Sequence, residues 1–515
     1  MKNTKRLLIN TLTLAATTFL MRTVGVAFNV YLTGRLGAAG IGLFSLVTDV
    51  YSMALTFSFA GLPLASTRLT VEDSGKDAGQ EKWIMRRCTM YGLTVGCFMC
   101  LVVFAGADII ARLWLGDPRT ASALRILAVS LPFASVECAF SGYFTARRTV
   151  IKYAAVQIIE QTVKIAASVA MLHFWAEKGA EYACDAVAVG MTVSQIVSLF
   201  CAVTFYKLTK HSKTSARLPG GLKALLHIAI PDAAGSCARS VLLTVEHLLI
   251  PVGFRKSGQS ADQAMTLYGV IHGMALPVIL YPAAIMTSLS SMLVPEFAEC
   301  LARGDSRRID SMAARAIKIT VLFSMGTAGV MFIFSDGLSR SIYGDSQCTE
   351  YLKILAPLLP IMYTDTTVDG ILKGLDQQIY SMRYNIIDSA MCVVLVCILI
   401  PKYSVKGYIA ILFISEIVNF TLSIHRLSKV CRLEIDVINS IVKPMICVIA
   451  SFLTGLLLVP AQGAGKLALS GIIALDAVVY ISLLTLTGSI SIQDISWFRN
   501  IFSKQNDQQL KNSGS

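Results

Sequence analysis

Apolar residues gather along this chain into long runs separated by short polar stretches rich in Lys, Arg, Gly and Pro. A helix rises 1.5 Å per residue, so crossing a bilayer takes about 20 mostly apolar residues. Fourteen runs reach or approach that length, at residues 8–33, 41–69, 86–115, 121–144, 150–175, 182–206, 224–250, 264–293, 314–335, 351–372, 384–400, 407–425, 443–460 and 466–487. The pattern predicts an all-α integral membrane protein with about fourteen transmembrane helices. The stretch from Ser491 is polar and reads as an unstructured tail.

The runs are not independent. Asp108, Arg112, Gly116, Asp117, Leu124, Ile126, Leu127, Ala128, Leu131, Pro132 and Gly142 recur without a gap as Asp336, Arg340, Gly344, Asp345, Leu352, Ile354, Leu355, Ala356, Leu359, Pro360 and Gly370. The same offset lays Arg87 on Arg315, and Gln157-Ile-Ile-Glu160 on Asn385-Ile-Ile-Asp388. An internal period of this kind governs the whole fold.

Each copy holds six spans, an even number, so both enter from the same side and are expected to be parallel repeats meeting around a central cavity. The division is 1–206 for the first half, 207–223 for a linker carrying Pro219-Gly220-Gly221, and 224–425 for the second half. Two further helices, 13 and 14, occupy 443–487, and the polar tail runs over 488–515. Placing the N-terminus in the cytoplasm puts Lys2, Lys5, Arg6, Arg86, Arg87, Arg147, Arg148, Arg307, Arg308, Lys373 and Arg426 inside. The outer loops then carry about a third as many Lys and Arg, as the positive-inside rule asks. Both termini are expected to face the cytoplasm.

Composition agrees: 55% of residues are hydrophobic and only 15% charged, far from a soluble chain. The net charge of +13 lies in short loops and forms no basic face, so nucleic acid is not an expected partner. The thirteen Cys have no recurring paired spacing and read as small packing residues, although Cys184 and Cys348 fall near outer loops where pairing is open. No metal motif, catalytic motif or cofactor motif stands out. The basic N-terminus resembles a secretory signal, but its apolar run continues through Arg22 to about Leu32, too long for that role.

Ionisable residues inside spans are costly and mark candidate sites. Arg22 in helix 1 and Arg239 in helix 7 each sit about fifteen residues from the cytoplasmic start of their helix, roughly 22 Å along it. Glu137 maps onto Asp365 and Glu160 onto Asp388; Asp49, Lys164, Asp232, Glu246 and Asp369 complete the set. Glu160 and Lys164, four apart, have the spacing of an ion pair on one helix face. Two cations at matched depth repel unless an anion joins them, either a carboxylate such as Asp49 or a substrate. The acids serve either as coupling sites or as helix-pairing groups. His173, His247 and His272 read as helix-packing residues.

Several stretches together resemble the multidrug/oligosaccharidyl-lipid/polysaccharide (MOP) exporter superfamily, most closely its stage V sporulation protein B branch. They include Arg22-Thr-Val-Gly25, Leu36-Gly37-Ala-Ala-Gly40-Ile-Gly42-Leu-Phe44, Gly61-Leu-Pro63, Leu267-Tyr-Gly269, Leu293-Val-Pro295, Gly374-Leu-Asp-Gln377-Gln378 and Pro401-Lys-Tyr-Ser-Val-Lys-Gly407-Tyr408. The resemblance implies a MATE-like fold in the bacterial inner membrane and a flippase of polyprenyl-pyrophosphate-linked saccharide, a precursor of peptidoglycan or polysaccharide. It also implies a groove for the lipid tail at helices 13 and 14. Arg22 and Gly25 match the Arg and Gly of the lipid II flippases' first helix. Those flippases carry a second Arg where Phe28 stands, and an early acid in helix 2 where Gly42 and Leu43 stand. The departure weakens the implication of lipid II itself and leaves that of a saccharide-linked lipid.

On this reading Arg22, Arg239 and Asp49 bind substrate, and Glu137, Glu160, Asp365, Asp369 and Asp388 pair helices or bind a coupling ion, H+ or Na+. The partners are the lipid-linked saccharide and membrane lipids, and the protein is expected to act as a monomer and not as an enzyme. Two alternatives remain: a cation-coupled multidrug exporter of the same fold, and, from another class, a membrane glycosyltransferase or non-transporting assembly factor.

Overall fold

The structure, a computed structural model, describes residues 2–59, 61–74, 81–147, 149–175, 180–209, 221–433, 436, 438–458 and 466–490. Most of the 207–223 linker and the tail from 491 lie outside them. All fourteen apolar runs are occupied by helix, and no strand occurs among the described residues. Ten helical stretches are long and apolar enough to cross a membrane, two of them containing a pair of predicted spans each. The chain is a multi-pass membrane protein. It divides into two compact units, Lys2–Gly269 and Val270–Ser515. The halves read from the sequence follow its repetition, whereas these units follow packing, and α7 packs within the first.

The first unit begins with α1 (Lys2–Phe59), which contains predicted spans 1 and 2 around a kink at Gly37, φ 71°, ψ 175°. That left-handed φ admits glycine at little cost, so one residue turns the chain where the sequence showed only a short polar break. There follow α2 (Leu62–Ser74), α3 (Glu81–Ile109) ending in a π-helical turn (Ile110–Leu115), α4 (Thr120–Ala146), α5 (Val150–Trp175), α6 (Ala180–Lys207), α7 (Gly221–Lys256) and α8 (Ala261–Tyr268). α4 packs against α2, α3 and α6, and α5 against α6. Their shared core includes Leu62, Ile84, Tyr143, Phe144 and Val156, with Leu225 from α7. Facing outward, Phe98 and Leu101 are 64% and 68% exposed, as a lipid-facing helix requires.

The second unit opens within the π-helical turn Gly269–Ala275 and continues through α9 (Leu276–Leu280) and α10 (Ala283–Ala302). Pro277 and Pro282 break this predicted single span, because proline removes a backbone donor and clashes with the preceding turn. Then come α11 (Ser306–Ile333), α12 (Ser335–Tyr343), α13 (Thr349–Leu355), α14 (Leu359–Gly374) and α15 (Gln378–Val430), which holds spans 11 and 12 around a kink at Ser404. α16 (Lys443–Leu458) and α17 (Lys466–Leu486) close the unit, with α16 and α17 packed on α11. Leu322, Cys447, Tyr480 and Leu484 form the core there.

The two copies fold alike locally. Gly116 and Gly344 both take left-handed backbone, φ 70° and 84°. One residue on, Asp117 Oδ1 accepts from Arg119 N at 3.0 Å, and Asp345 Oδ1 accepts from Gln347 N at 3.1 Å. Ala121 N donates to Pro118 O and Thr349 N to Ser346 O, the same turn 228 residues apart. Cys184 and Cys348 are both buried and neither is in a disulfide, so the pairing left open by the sequence is not made; the Cys348 thiol donates to Ser339 Oγ.

Candidate functional site

In the first unit a polar cluster around Asp49 forms where the second half of α1 meets α7 and α8. Ser240, Thr244 and His247 are spaced three and four apart, which aligns them on one stripe of α7. All three face α1: Ser240 Oγ donates to Thr56 Oγ1 at 3.4 Å, Thr244 Oγ1 to the Asp49 carbonyl at 3.4 Å, and His247 Nδ1 lies 2.9 Å from Asp49 Oδ2. From α8 the buried Tyr268 hydroxyl donates to the same carboxylate oxygen at 3.2 Å. Asp49 is therefore held by His247 and Tyr268, and this His is a carboxylate partner in addition to a packing residue.

Arg22, in the first half of α1, is half-buried, and Arg239, near the midpoint of α7, is exposed. Neither guanidinium has a hydrogen bond or ion pair among the described residues. Arg239 precedes Ser240 by one position and so points about 100° away from the α1 contact. Glu246 lies two turns further on, along nearly the same face of α7. The side chain of Asp232 is outside the described residues. One turn from Arg22, a Cβ placed on Gly25 would lie 3.8 Å from Gln161 Nε2, which sets this part of α1 against α5.

The acids of α4 and α5 lie close enough to interact: Glu137 and Glu160 repel each other when both are charged. Glu160 accepts from Gln195 Nε2 of α6 at 2.7 Å. The ion pair expected from its spacing to Lys164 is not formed; Lys164 contributes only longer-range attraction. The interhelical amide wins because it reaches the carboxylate directly across the packed α5–α6 face.

In the second unit the matched acids follow a similar plan. Asp388, in the first half of α15, accepts from Ser415 Oγ of its second half at 2.8 Å, as Glu160 does from α6. Asp365 of α14 accepts from Asn419 Nδ2 at 2.9 Å, while its other oxygen, Oδ1, is buried without a partner. Glu416, one position past Ser415, interacts electrostatically with both Asp365 and Asp388. Asp369 is bound by Lys373 Nζ at 2.6 Å and by the Ser381 hydroxyl, so it fastens the α14–α15 connection. Asp365, Asp388 and Glu416 thus share a half-buried region and lie close enough to interact.

α11, α16 and α17 enclose a cavity of about 530 Å³, walled by Ile319, Phe323, Gly326, Val448, Tyr480 and Leu484. Tyr480 OH donates to Leu322 O at 2.9 Å, tying α17 to α11. The single carboxyl in the wall is Asp476, 3% exposed and hydrogen-bonded by Ser451 Oγ. An apolar groove of this size suits hydrocarbon better than a sugar.

The polysaccharide biosynthesis protein family matches residues 7–301, more than half of the chain. The chain belongs to that family. The MatE family matches residues 260–399, and these matches with the relatives below support a MOP superfamily exporter. Stage V sporulation protein B of Bacillus subtilis (strain 168) is 22% identical over 487 residues, covering 92% of this chain and 94% of the relative. Sporulation protein YkvU of the same organism is 20% identical over 334 residues, covering 64% and 74%. Among solved structures, the lipid II flippase MurJ in an inward closed conformation aligns with a TM-score of 0.70 at 14% identity, covering 94% of this chain and 99% of that one. An inward-facing multidrug resistance MATE family transporter aligns with a TM-score of 0.63 at 11% identity, covering 82% and 98%. The fold of this family member is that of the MOP transporters.

Sequence reading passed over Glu416, Asp476 and Tyr268. Glu416 has Ala188 at its matched position and Asp476 lies outside the repeat, so neither drew support from the duplication. A count of every acid within a span finds both. Tyr268 carries no such signal, because a tyrosine in a span most often serves packing.

Proposed function

We propose that the protein is a flippase that moves a polyprenyl-pyrophosphate-linked saccharide across the bacterial inner membrane by alternating access. The observation that carries the reading is the pair Arg22 and Arg239, two mid-helix guanidiniums with no carboxylate bonded to either among the described residues. A diphosphate needs such cations, and Arg offers it a fork of parallel N–H donors. Asp49 shapes the wall beside α7 through His247 and Tyr268 instead of neutralising an arginine. The polyprenyl chain stays in the hydrocarbon and rests in the groove of α11, α16 and α17, while the head group crosses. The names of the relatives support a cell-envelope precursor, and the similarity to stage V sporulation protein B supports a role in the spore cortex.

The cluster Asp365, Asp388 and Glu416 supplies a site for a coupling ion, H+ or Na+. That cluster and the MatE match over 260–399 also favour a second reading, a cation-coupled multidrug exporter. Purified protein in liposomes separates the two. Movement of a fluorescent polyprenyl-pyrophosphate saccharide supports the first, and uptake of a cationic dye with none of the saccharide lipid supports the second.

A further inference from the structure

At the end of α7 opposite its Gly221 start, a cavity of about 140 Å³ is lined by Gly40, Gly116, Asp117, Arg119, Arg255 and Asp262. The pattern of Lys and Arg assigns this end to the outer side. The half-buried Arg255 guanidinium turns its Nη1–Nη2 edge toward the turn at Gly116: a Cβ placed there would stand 2.8 Å from Nη2 and 3.1 Å from Nη1. Glycine at φ 70° provides both the turn and the room. The duplication does not explain the arginine, since at the matched Gly344 nothing lies within 4 Å of such a Cβ.

Arg255 has no hydrogen-bond acceptor or ion partner among the described residues. Asp117 is already engaged, taking Arg119 Nε on Oδ1 at 3.0 Å and Nη2 on Oδ2 at 2.7 Å. Those bonds hold the Asp117 carboxyl below the ordinary carboxylate range. Asp262 is exposed in the first turn of α8, where a negative charge complements the helix N-terminus. The wall therefore presents one guanidinium that is bonded to no acceptor among the described residues. Immediately before Gly116, Leu113 and Trp114 are 76% and 45% exposed, an apolar and an aromatic residue at the depth where head groups begin.

We propose that Arg255, seated on the Gly116 turn, binds a phosphoryl group, with Leu113 and Trp114 placed against the chains of a lipid that carries it. The cavity holds one phosphate and not a saccharide head group. It lies sixteen residues beyond Arg239 along α7, roughly 24 Å, so it is separate from the proposed translocation site and stands or falls independently of it.

The test uses the full-length protein in detergent, with thermal stability followed against added dioleoylphosphatidylglycerol, dioleoylglycerol or inorganic phosphate. Phosphatidylglycerol is expected to raise the melting temperature saturably and dioleoylglycerol to leave it unchanged. Arg255→Gln is expected to raise the half-saturating concentration about tenfold, since a charge-assisted hydrogen bond is lost. Arg112→Gln, at an exposed arginine outside the cavity, is expected to change nothing, and Asp262→Asn to tighten binding by removing a competing anion. If Arg255→Gln purifies poorly, Arg255→Lys carries the test, since an ammonium lacks the fork and binds severalfold more weakly. A response to inorganic phosphate equal to that of the lipid identifies a soluble phosphate as the source, and a lipid response alone identifies the head group. Saturation by dioleoylglycerol, wild-type binding by the Arg255 variants, or an equal loss in Arg112→Gln overturns the site.

Discussion

His247 Nδ1 lies 2.9 Å from Asp49 Oδ2, joining α7 to the second half of α1 across 198 residues of sequence. Both side chains are about one-fifth exposed, so water screens the contact only in part. Polar contacts between membrane helices contribute about 0.5–2 kcal/mol. A double-mutant cycle with Asp49→Leu and His247→Phe, read by unfolding in detergent, is expected to give a coupling energy in that range. Strict additivity of the two losses would remove the pair as a helix link.

The turns at Gly116 and Gly344 supply an internal control. Left-handed backbone costs an alanine roughly 1–2 kcal/mol, so Gly116→Ala and Gly344→Ala should both destabilise. Gly116→Ala should be the worse, because the new Cβ meets the Arg255 guanidinium whereas the space beside Gly344 is open. Melting temperatures of the two variants decide it. An equal or larger drop for Gly344→Ala contradicts the geometry.

The number of helices was legible because span length is set by bilayer thickness, and the duplication was legible because the turn Gly116-Asp117 and its copy Gly344-Asp345 need the same residue types to make the same backbone. The joining of spans 1 and 2 through Gly37, and of 11 and 12 through Ser404, was not legible. Their short polar breaks look like loops, and only the backbone angles show that one residue makes each kink. At the site, Arg22 and Arg239 were singled out as cations needing an anion, and the structure leaves both unbonded among the described residues. The partner of Asp49 was missed because His247 has no counterpart in the repeat and its stripe with Ser240 and Thr244 gains meaning only when α7 is set against α1. The side chain of Asp232 and most of the linker lie outside the described residues.

Orientation rests on loop charge, and two positions test it. In a cysteine-free background Lys256→Cys, at the end of α7, should label from outside intact cells with a membrane-impermeant maleimide. Ser306→Cys, at the start of α11, should label only after the cells are permeabilised. Both positions are exposed, so failure to react reflects sidedness and not burial. Outside labelling at Ser306 would reverse the assignment of both termini to the cytoplasm.

The proposed role of Arg22 and Arg239 makes the sharpest demand. Each stands too far along its helix for the side chain to reach an interface easily, and a cation at that depth persists only with an anion or water at hand. If the anion is a substrate diphosphate, Arg22→Lys and Arg239→Lys should each slow movement of the fluorescent saccharide lipid by about tenfold, since the charge remains but the bidentate fork is lost. Protein level in the membrane and melting temperature should stay near wild type, because neither guanidinium is bonded to another helix among the described residues. The double variant Arg22→Ala, Arg239→Ala should abolish movement. Full activity in the double variant would assign the arginines to structure and leave substrate recognition to the carboxyl groups of Asp365, Asp388 and Glu416.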